Sequence, residues 1–428
     1  MKRLKSLAAL ALVLLTNLSV RAVTLDYCLE KAEENYPLIK KYGIVENTAE
    51  LSLDEINRSW LPRIGVYAQA TVQNVVPQFP ESLKNVLAQL GQDSEGVGHL
   101  QYKVGVDLSQ TVWDGGSSKA RREIERRSEA ENQATISVQM YAVREKVMNL
   151  YFGALLMEAQ IAQTENTVAL LKANHTLMQS MLAGGVAMQS DVDMVEAQVL
   201  AVGQQINGAR SAVRQYRDLL SIYVGENLQN VKLQKPEATI PADLESARPE
   251  LTLFDARSRL NAARLSAVET SVMPRVGLFA QAWYGYPGID YFKSMMNRDL
   301  SFNVLAGVKI SWNIDSFYTK KLLQKKIALA DAGIDNDREV FLYNIRLQTA
   351  SQREEIEGIR ALMADDSRIV ALRSSVRTAA ESQLKNGVID ATALLAKITD
   401  ENQARLASSY HEIQLLQNIY KLKYTLNR

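Results

Sequence analysis

Residues 62–70, with the sequence PRIGVYAQA, recur almost unchanged as residues 274–282, with the sequence PRVGLFAQA. The two segments lie 212 residues apart. Further along the chain the spacing becomes 202 residues, in the pairs Gly105 and Gly307, Tyr141 and Tyr343, and Gly185 and Gly387. Self-similarity that keeps its order along the chain indicates an internal duplication. We therefore expect two structural repeats, residues 23–235 and 236–428.

The first 22 residues have the pattern of a targeting segment rather than of a folded element. Basic residues precede a short apolar run at 7–15, and small residues follow. This pattern predicts a secretory signal peptide, residues 1–22, cleaved after Ala22. Its four basic residues are Lys2, Arg3, Lys5 and Arg21, and their removal lowers the formal net charge from +1 to −3. A mature chain of this charge gives no argument for a nucleic-acid partner.

Few residues are available for catalysis or metal binding. The sequence has one cysteine, Cys28, and three histidines, His99, His175 and His411. The residues before Cys28 are not the small ones expected before a lipid-anchored cysteine, so we expect a buried or idle thiol, with acylation as the alternative. No nucleophile motif, metal-ligand spacing or phosphate loop is recognisable. We expect no enzyme activity, no cofactor and no metal site.

Four segments alternate apolar and polar residues with a period of two, which is typical of β-strands: 63–75, 102–112, 275–285 and 302–312. Each is about ten residues long, with aromatic residues toward the ends, as in transmembrane β-strands. Soluble hairpins with one buried face are the alternative. On the polar face, Lys103, Asp107 and Lys309 are candidate pore-lining residues that tune ion preference, or else ordinary wetted positions.

Two long proline-free stretches predict helical hairpins over about residues 116–226 and 318–426. At about 1.5 Å per residue, the first helix of each hairpin could reach on the order of 100 Å. An apolar seam with spacings of four and three residues runs along the first of them, and His175 lies on it. This period is typical of coiled coils. Each hairpin turns at a glycine, Gly185 or Gly387, where glycine is the expected helix stop.

Four membrane strands cannot close a barrel, because single-chain barrels need at least about eight. An open sheet would leave unpaired backbone groups in lipid, at a cost of several kcal/mol for each group. Strands in a membrane would therefore require two, three or four copies of the chain. Together with the signal peptide, the pattern indicates a bacterial outer membrane.

At this point the sequence resembles the TolC-type outer-membrane efflux protein family, over nearly the whole mature chain. The resemblance rests on the repeated strand motif and on four further segments: Asn35-Tyr36-Pro37, Val112-Trp113-Asp114-Gly115-Gly116, Gly185-Val186-Ala187-Met188-Gln189-Ser190-Asp191-Val192 and Gly387-Val388-Ile389. Each segment is weakly specific alone, and their order together with the duplication makes the combination specific.

The resemblance implies an α+β membrane protein that acts as a homotrimer. Four transmembrane β-strands per chain would contribute to a trimeric 12-stranded barrel, and the coiled-coil hairpins would form a periplasmic α-barrel. Such a protein is the passive exit duct of a tripartite efflux pump or of a type I secretion system. Its expected partners are outer-membrane lipid, a periplasmic adaptor (membrane fusion) protein and an inner-membrane transporter of the RND, ABC or MFS class.

The resemblance also implies where partners and a gate lie. The adaptor-docking tips correspond to Gly184, Gly185, Val186, Ser190, Asn386, Gly387 and Val388. Some members narrow the tip with two carboxylates, but alanines, Ala393 and Ala396, occupy those positions here, and Leu384 replaces an expected tyrosine. Asp191, Asp193 and Asp390 are the remaining candidate tip gate. Alternatively these aspartates only stabilise helix starts, and Ser190 and Asp390 are predicted N-caps.

Two other functions remain open at this stage. One is an outer-membrane channel that needs no partner, although the long helices argue against it because a simple porin needs only short periplasmic turns. The other is a periplasmic coiled-coil scaffold whose strands form a soluble domain. The sequence does not name a cargo.

Overall fold

The computed structural model describes residues 23–91 and 96–428, so the predicted signal peptide lies outside the described residues. The described chain is mostly helical and contains one four-stranded sheet. The helices are α1 Leu25–Asn35, α2 Lys40–Arg58, α3 Glu81–Gln89, α4 Ser117–Ala183, α5 Gln189–Val224, α6 Pro249–Thr270, α7 Tyr291–Met296, α8 Ser316–Lys385 and α9 Ala391–Leu426. The strands are β1 Arg63–Val72, β2 Leu100–Trp113, β3 Arg275–Tyr286 and β4 Ser301–Ser311. A short 3₁₀ helix, Pro37–Ile39, separates α1 from α2.

The chain divides into two compact units. The sheet unit comprises Gly43–Gln133 and Phe254–Asp335, and the helical unit comprises the described residues up to Tyr42, Ala134–Leu253 and Asn336–Arg428. Among residues 23–91 and 96–428, no helix combines the length and the hydropathy needed to cross a bilayer.

The sheet is an antiparallel meander in the order β1-β2-β3-β4. Its two hairpins have the same register, because Tyr67 pairs with Gly105 and the corresponding Phe279 pairs with Gly307. A Cβ built on Gly307 would lie 2.9 Å from the Phe279 ring, whereas one on Gly105 would lie 2.6 Å from the Ala282 carbonyl, 2.7 Å from Trp283 Cβ and 3.0 Å from the Tyr67 hydroxyl. The strand pairing within the two hairpins therefore follows the duplication residue by residue.

Two strand ends differ by more than one residue from the bounds that the sequence suggests. β1 ends at Val72 rather than at residue 75, although Gln73 N still donates a hydrogen bond to the His99 carbonyl at 2.9 Å. Pro77, which has no N–H to donate, follows soon afterwards. β2 begins two residues earlier than predicted, at Leu100, which pairs with Val72.

The turn from β2 into α4 is made by Asp114, Gly115 and Gly116. Both glycines have positive φ, at 69° and 86°, a conformation that glycine adopts without steric cost. The Asp114 carboxylate accepts hydrogen bonds from Gly116 N at 3.0 Å and Ser118 N at 2.6 Å. The motif therefore works as a strand-to-helix connection.

The core of the helical unit forms where α1 packs against α4 and α5. Tyr151 is fully buried, and its hydroxyl lies 2.8 Å from the Val23 carbonyl and 2.6 Å from that of Gln234. Cys28 is fully buried in the same cluster. Burial, followed by the nearby Glu226 charge, raises the pKa of its thiol to about 12. The thiol is therefore protonated and enclosed, and a lipid attached to it would have no room.

The predicted apolar seam of α4 is largely buried, including Ile136, Val143, Val147, Ala154, Leu171 and Met178. His175 is partly buried on the same helix, and its Nε2 lies 3.9 Å from Glu196. Polar residues therefore interrupt the seam without breaking the helix.

The sequence patterns did not predict the helices that precede each hairpin of the sheet. α2 ends at Arg58 and α6 ends at Thr270, so their ends keep the 212-residue spacing of the strands. α3 and α7 lie in the two loops in which the spacing changes. In α2 only Ala49 is buried and in α3 no residue is, so apolar periodicity does not reveal these two helices.

Candidate functional site: the sheet faces and the helical turns

One face of the sheet is apolar and exposed. Its residues are the even-numbered ones of all four strands apart from the buried Tyr286, and Val66 and Ile310 expose 78% and 71% of their surface. None of the even-numbered residues from Ile64 to Val72, Leu100 to Val112, Val276 to Tyr286 or Phe302 to Ile310 is charged. An exposed apolar face of this extent marks a surface that contacts lipid or a partner.

The opposite face is polar and carries the three predicted pore-lining residues. Lys103, Asp107 and Lys309 are all odd-numbered, and the strand register places them on this one face. The Lys103 ammonium lies 5.6 Å from the ring centroid of Tyr67 and 5.7 Å from that of Trp283, within cation–π distance. Asp107 lies between Gly65 and Gln281, and its Oδ1 is buried without a hydrogen-bond partner among the described residues.

The two helical turns have the same backbone. Gly185 and Gly387 have φ values of 73° and 71°. Val186 N donates to the Met181 carbonyl at 2.8 Å, and Val388 N donates to the Gln383 carbonyl at 2.9 Å. This is the hydrogen-bond pattern of a Schellman C-cap, which satisfies carbonyls at the helix end. The turn glycines are therefore required by backbone conformation.

The residues after the turns start the returning helices in two different ways. In the first repeat Met188 is the N-cap, and the Asp191 carboxylate accepts a hydrogen bond from Met188 N at 2.9 Å. In the second repeat Asp390 is the N-cap, and its side chain accepts from Ala393 N at 2.8 Å. Ser190 lies inside α5, so its predicted N-cap role is wrong, because the helix starts one residue earlier, at Gln189.

The candidate gate aspartates are thus bound to their own helix starts. Asp193 also has a local partner, since the Gln189 side-chain amide donates to it at 2.7 Å. Within the described ranges, no group of three or more His, Cys, Asp and Glu side chains is placed to hold a metal ion. The geometry supports helix capping, and a gate role for these residues stays a prediction.

An apolar cluster joins the two hairpins just behind their turns. It contains Leu171, Met178, Val192, Val195 and Val202 from the first hairpin and Ala380, Leu384, Ala391, Leu394 and Ile398 from the second. Thr392 Oγ1 also lies 3.5 Å from Met194 Sδ. Leu384, where the family resemblance expects a tyrosine, belongs to this cluster, so the turns are held together mainly by apolar contact.

An ion-pair network that the sequence reasoning missed lies next to this cluster. The carboxylate of the buried Glu401 accepts hydrogen bonds from Arg377 at 2.5 Å and from Arg405 at 2.7 Å. Burial opposes its ionisation, but the two arginines hold the pKa of Glu401 below its usual value. Arg405 follows Glu401 by four residues on one helix, and this spacing was the available signal. Arg377 comes from the other helix and could not be assigned without the fold.

The family model of outer membrane efflux proteins matches residues 28–226. This range contains the first sheet hairpin and the first helical hairpin, and the second repeat has the same strand register and the same turn. The chain is therefore similar to the outer membrane efflux protein family over its first repeat. This similarity supports an outer-membrane efflux duct with a periplasmic helical extension.

Solved structures of outer-membrane channels have the same fold. The outer-membrane channel OprN aligns with a TM-score of 0.67 at 14% identity, over 94% of this chain and 89% of its own. VceC from Vibrio cholerae aligns with a TM-score of 0.66 at 13% identity, over 94% of both chains. CusC aligns with a TM-score of 0.65 at 12% identity, over 94% of this chain and 91% of its own. At these identities the alignments establish the fold.

Proposed function

We propose that three copies of this chain form a passive duct through the outer membrane and part of the periplasm, as the exit of a tripartite efflux pump. The observation that carries the proposal is the sheet. It has an uncharged, exposed apolar face, a polar face with charged side chains, and β1 and β4 as its outer strands. In a membrane such a sheet must close, because each unpaired backbone group in lipid costs several kcal/mol. Three copies supply twelve strands.

The exposed surface of α8 supports a contact between copies. Tyr343 of the second repeat is 57% exposed, whereas the corresponding Tyr141 of the first repeat is 7% exposed. Exposed apolar residues continue along α8 at helical spacing: Val340, Leu347, Leu362, Ile369, Leu372 and Val376. An open groove of about 880 Å³ adjoins this surface and is lined by Leu244, Val340, Tyr343 and Ile345 among others. A neighbouring copy would cover this stripe as the first repeat covers its own.

The helical turns are the proposed docking points for a periplasmic adaptor protein, which would link the duct to an inner-membrane transporter of the RND, ABC or MFS class. Val186 and Val388 occupy the same place in the two turns and are 70% and 69% exposed. Two equivalent exposed valines per chain give a trimer six similar apolar contacts. Gly184, Ser190 and Asn386 complete the proposed docking tips, and Asp191, Asp193 and Asp390 the proposed gate.

We further assign two structural repeats to the chain, residues 23–235 and 236–428, each with one sheet hairpin and one helical hairpin. Transport through such a duct is passive, and the proposed role requires no catalytic step. Export in a type I secretion system would use the same duct with a different transporter.

The proposal is tested by fractionating cells that produce the native protein and by reconstituting the purified protein in planar bilayers. We expect recovery in the outer membrane and discrete conductance steps. A coiled-coil scaffold would be recovered as a soluble periplasmic protein and would give no conductance, and that result would overturn the duct.

A further inference from the structure

The polar face of the sheet has an uneven distribution of charge. Five charged side chains lie on it: Arg63, Lys103, Asp107, Arg275 and Lys309. Four of them are basic and one is acidic. Arg63, Arg275 and Lys309 are exposed and form no ion pair with any residue that the structure describes. The face therefore has a net positive charge that the chain itself does not neutralise.

The duplication arranges these charges in levels. Arg63 pairs with Ser109 at the start of the first hairpin, and Arg275 pairs with Ser311 at the start of the second. Arg63 and Arg275 are therefore equivalent positions, and both belong to the repeated Pro-Arg motif. Asp107 and Lys309 are likewise equivalent, because Asp107 lies opposite Gly65 and Lys309 opposite Gly277.

Equivalent positions in the two repeats lie at the same height in a closed barrel of repeated hairpins. In the trimer of the proposed function, Arg63 and Arg275 would form one ring of six guanidinium groups. Asp107 and Lys309 would alternate in a second ring without net charge. Lys103 has Leu305 as its counterpart and would add three further positive charges.

We propose that the barrel lumen attracts anions, and that the arginines of the repeated Pro-Arg motif set this preference for negatively charged solutes. Charged rings lining a pore raise the local concentration of ions of the opposite sign. Arginine stays charged at every physiological pH, so the preference does not depend on a titrating group. The inference rests on the proposed function, since the rings exist only in a closed barrel.

The test is the reversal potential of the reconstituted duct in a potassium chloride gradient. The wild-type duct is expected to pass chloride more readily than potassium. The double variant Arg63→Gln/Arg275→Gln should lower the chloride-to-potassium permeability ratio by roughly twofold or more. The matched control, Arg63→Lys/Arg275→Lys, retains the charge and should retain the ratio. Asp107→Asn removes the one acidic group and should raise the ratio.

The outcomes separate the inference from the function. A duct that conducts but prefers potassium, or whose ratio is the same in the glutamine and lysine variants, overturns the anion preference and leaves the duct in place. A protein that gives no conductance at all contradicts the proposed function, and the inference with it.

Discussion

The two helical turns have the same backbone conformation, but each contains a different half of the capping-box hydrogen bonds. In a complete capping box the N-cap side chain binds the N–H of the third helical residue, and that residue's side chain binds the N-cap N–H. The first turn has only the second half, Asp191 to Met188 N, and the second has only the first half, Asp390 to Ala393 N. The turn geometry is therefore common to both repeats, while the means of starting the next helix differs.

The long helices show a larger contrast between the repeats. α4 is covered within the chain, and Tyr151 on it is fully buried. The corresponding position on α8 is Arg353, and the nearby Tyr343 and Leu347 are exposed. The first repeat is thus completed by its own chain, whereas the second presents an apolar surface that a neighbouring copy can cover.

The largest expected effect comes from charging that exposed surface. Tyr343→Glu with Leu347→Glu should abolish the trimer, because two carboxylates would be buried without partners. Native mass measurement of the detergent-extracted protein should show single chains in place of three. The control is Gln348→Glu, next to the stripe on the same helix, which should remain trimeric. A trimeric Tyr343→Glu/Leu347→Glu variant would show that this surface is not the contact.

The next prediction concerns the turn glycines, one in each repeat. Gly185→Tyr and Gly387→Tyr should each abolish export while trimers still assemble. A Cβ at either position meets no atom within 4 Å, so the substitution disturbs the turn backbone and its docking surface but not the core. A side chain at positive φ costs about 1–2 kcal/mol. The readout is export in cells alongside native mass, and normal export from both variants would refute the docking assignment.

Much of this fold could be predicted from the residues. The period-two segments predicted all four strands because each strand has two chemically different faces, and Gly185 and Gly387 marked the turns because only glycine readily takes a positive φ. The helix α2 was missed because Ala49 is its only buried residue. Arg63 and Arg275 belong to the repeated motif, but the sequence pattern did not single them out as charges of the polar face, although their odd numbering places them on it.

The contacts between helices could not be derived from the sequence. Arg377 reaches Glu401 across 24 residues, and nothing local to either residue predicts the pairing. Which half of the capping box each turn contains could likewise not be predicted, because it depends on the residue at which α5 begins. These features depend on three-dimensional packing rather than on a repeating pattern.

Glu401→Gln should destabilise the second helical hairpin by about 2–3 kcal/mol, because it leaves Arg377 and Arg405 without their shared buried carboxylate. Its counterpart in the first repeat is Val199, so the loss is specific to the second. Thermal unfolding in detergent measures the effect. The control Glu381→Gln removes a partner of Arg377 alone and should cost about 1 kcal/mol or less. Equal losses in the two variants would contradict a central role for Glu401.

The lowered pKa of Glu401 predicts how the stability of the protein depends on pH. The folded pKa of Glu401 is lowered from its ordinary value of 4.5, so the unfolded chain binds its proton more readily. The stabilisation is complete above pH 4.5 and is lost as the pH falls through the folded pKa. The difference in unfolding free energy between wild type and Glu401→Gln should therefore be constant above pH 4.5 and should decrease only below pH 4.5. If this difference did not change as the pH falls below 4.5, the stabilisation would come from packing rather than from the charge of Glu401.

The smallest expected effects are at the caps. Asp390→Ala should cost about 1 kcal/mol and Asp191→Ala about half of that, measured as faster hydrogen exchange of the amides in the first turn of each helix. Ala393→Asp would complete the box in the second repeat and should slow that exchange.

Asp390→Asn distinguishes a cap from a gate, since asparagine caps a helix without charge. Unchanged exchange and unchanged conductance support the cap. A rise in conductance would assign Asp390 to the gate.

The central claim is that the two repeats are equivalent hairpins of one barrel closed by three chains. If so, β4 must pair with β1 of the next copy in the register that β2 and β3 show, where Asp107 lies opposite Gln281. The corresponding intermolecular pair is Lys309 with Gln69. Oxidation of Gln69→Cys/Lys309→Cys, in a chain whose Cys28 is replaced by Ser, should yield covalently linked trimers on a non-reducing gel. Asp107→Cys/Gln281→Cys should cross-link only within single chains.

Covalent trimers from the Gln69→Cys/Lys309→Cys protein, and none from the shifted pair Gln69→Cys/Gly307→Cys, are the predicted result. Cross-linking at the shifted pair alone, or no linkage between chains at either pair, would contradict the equivalence of the two repeats.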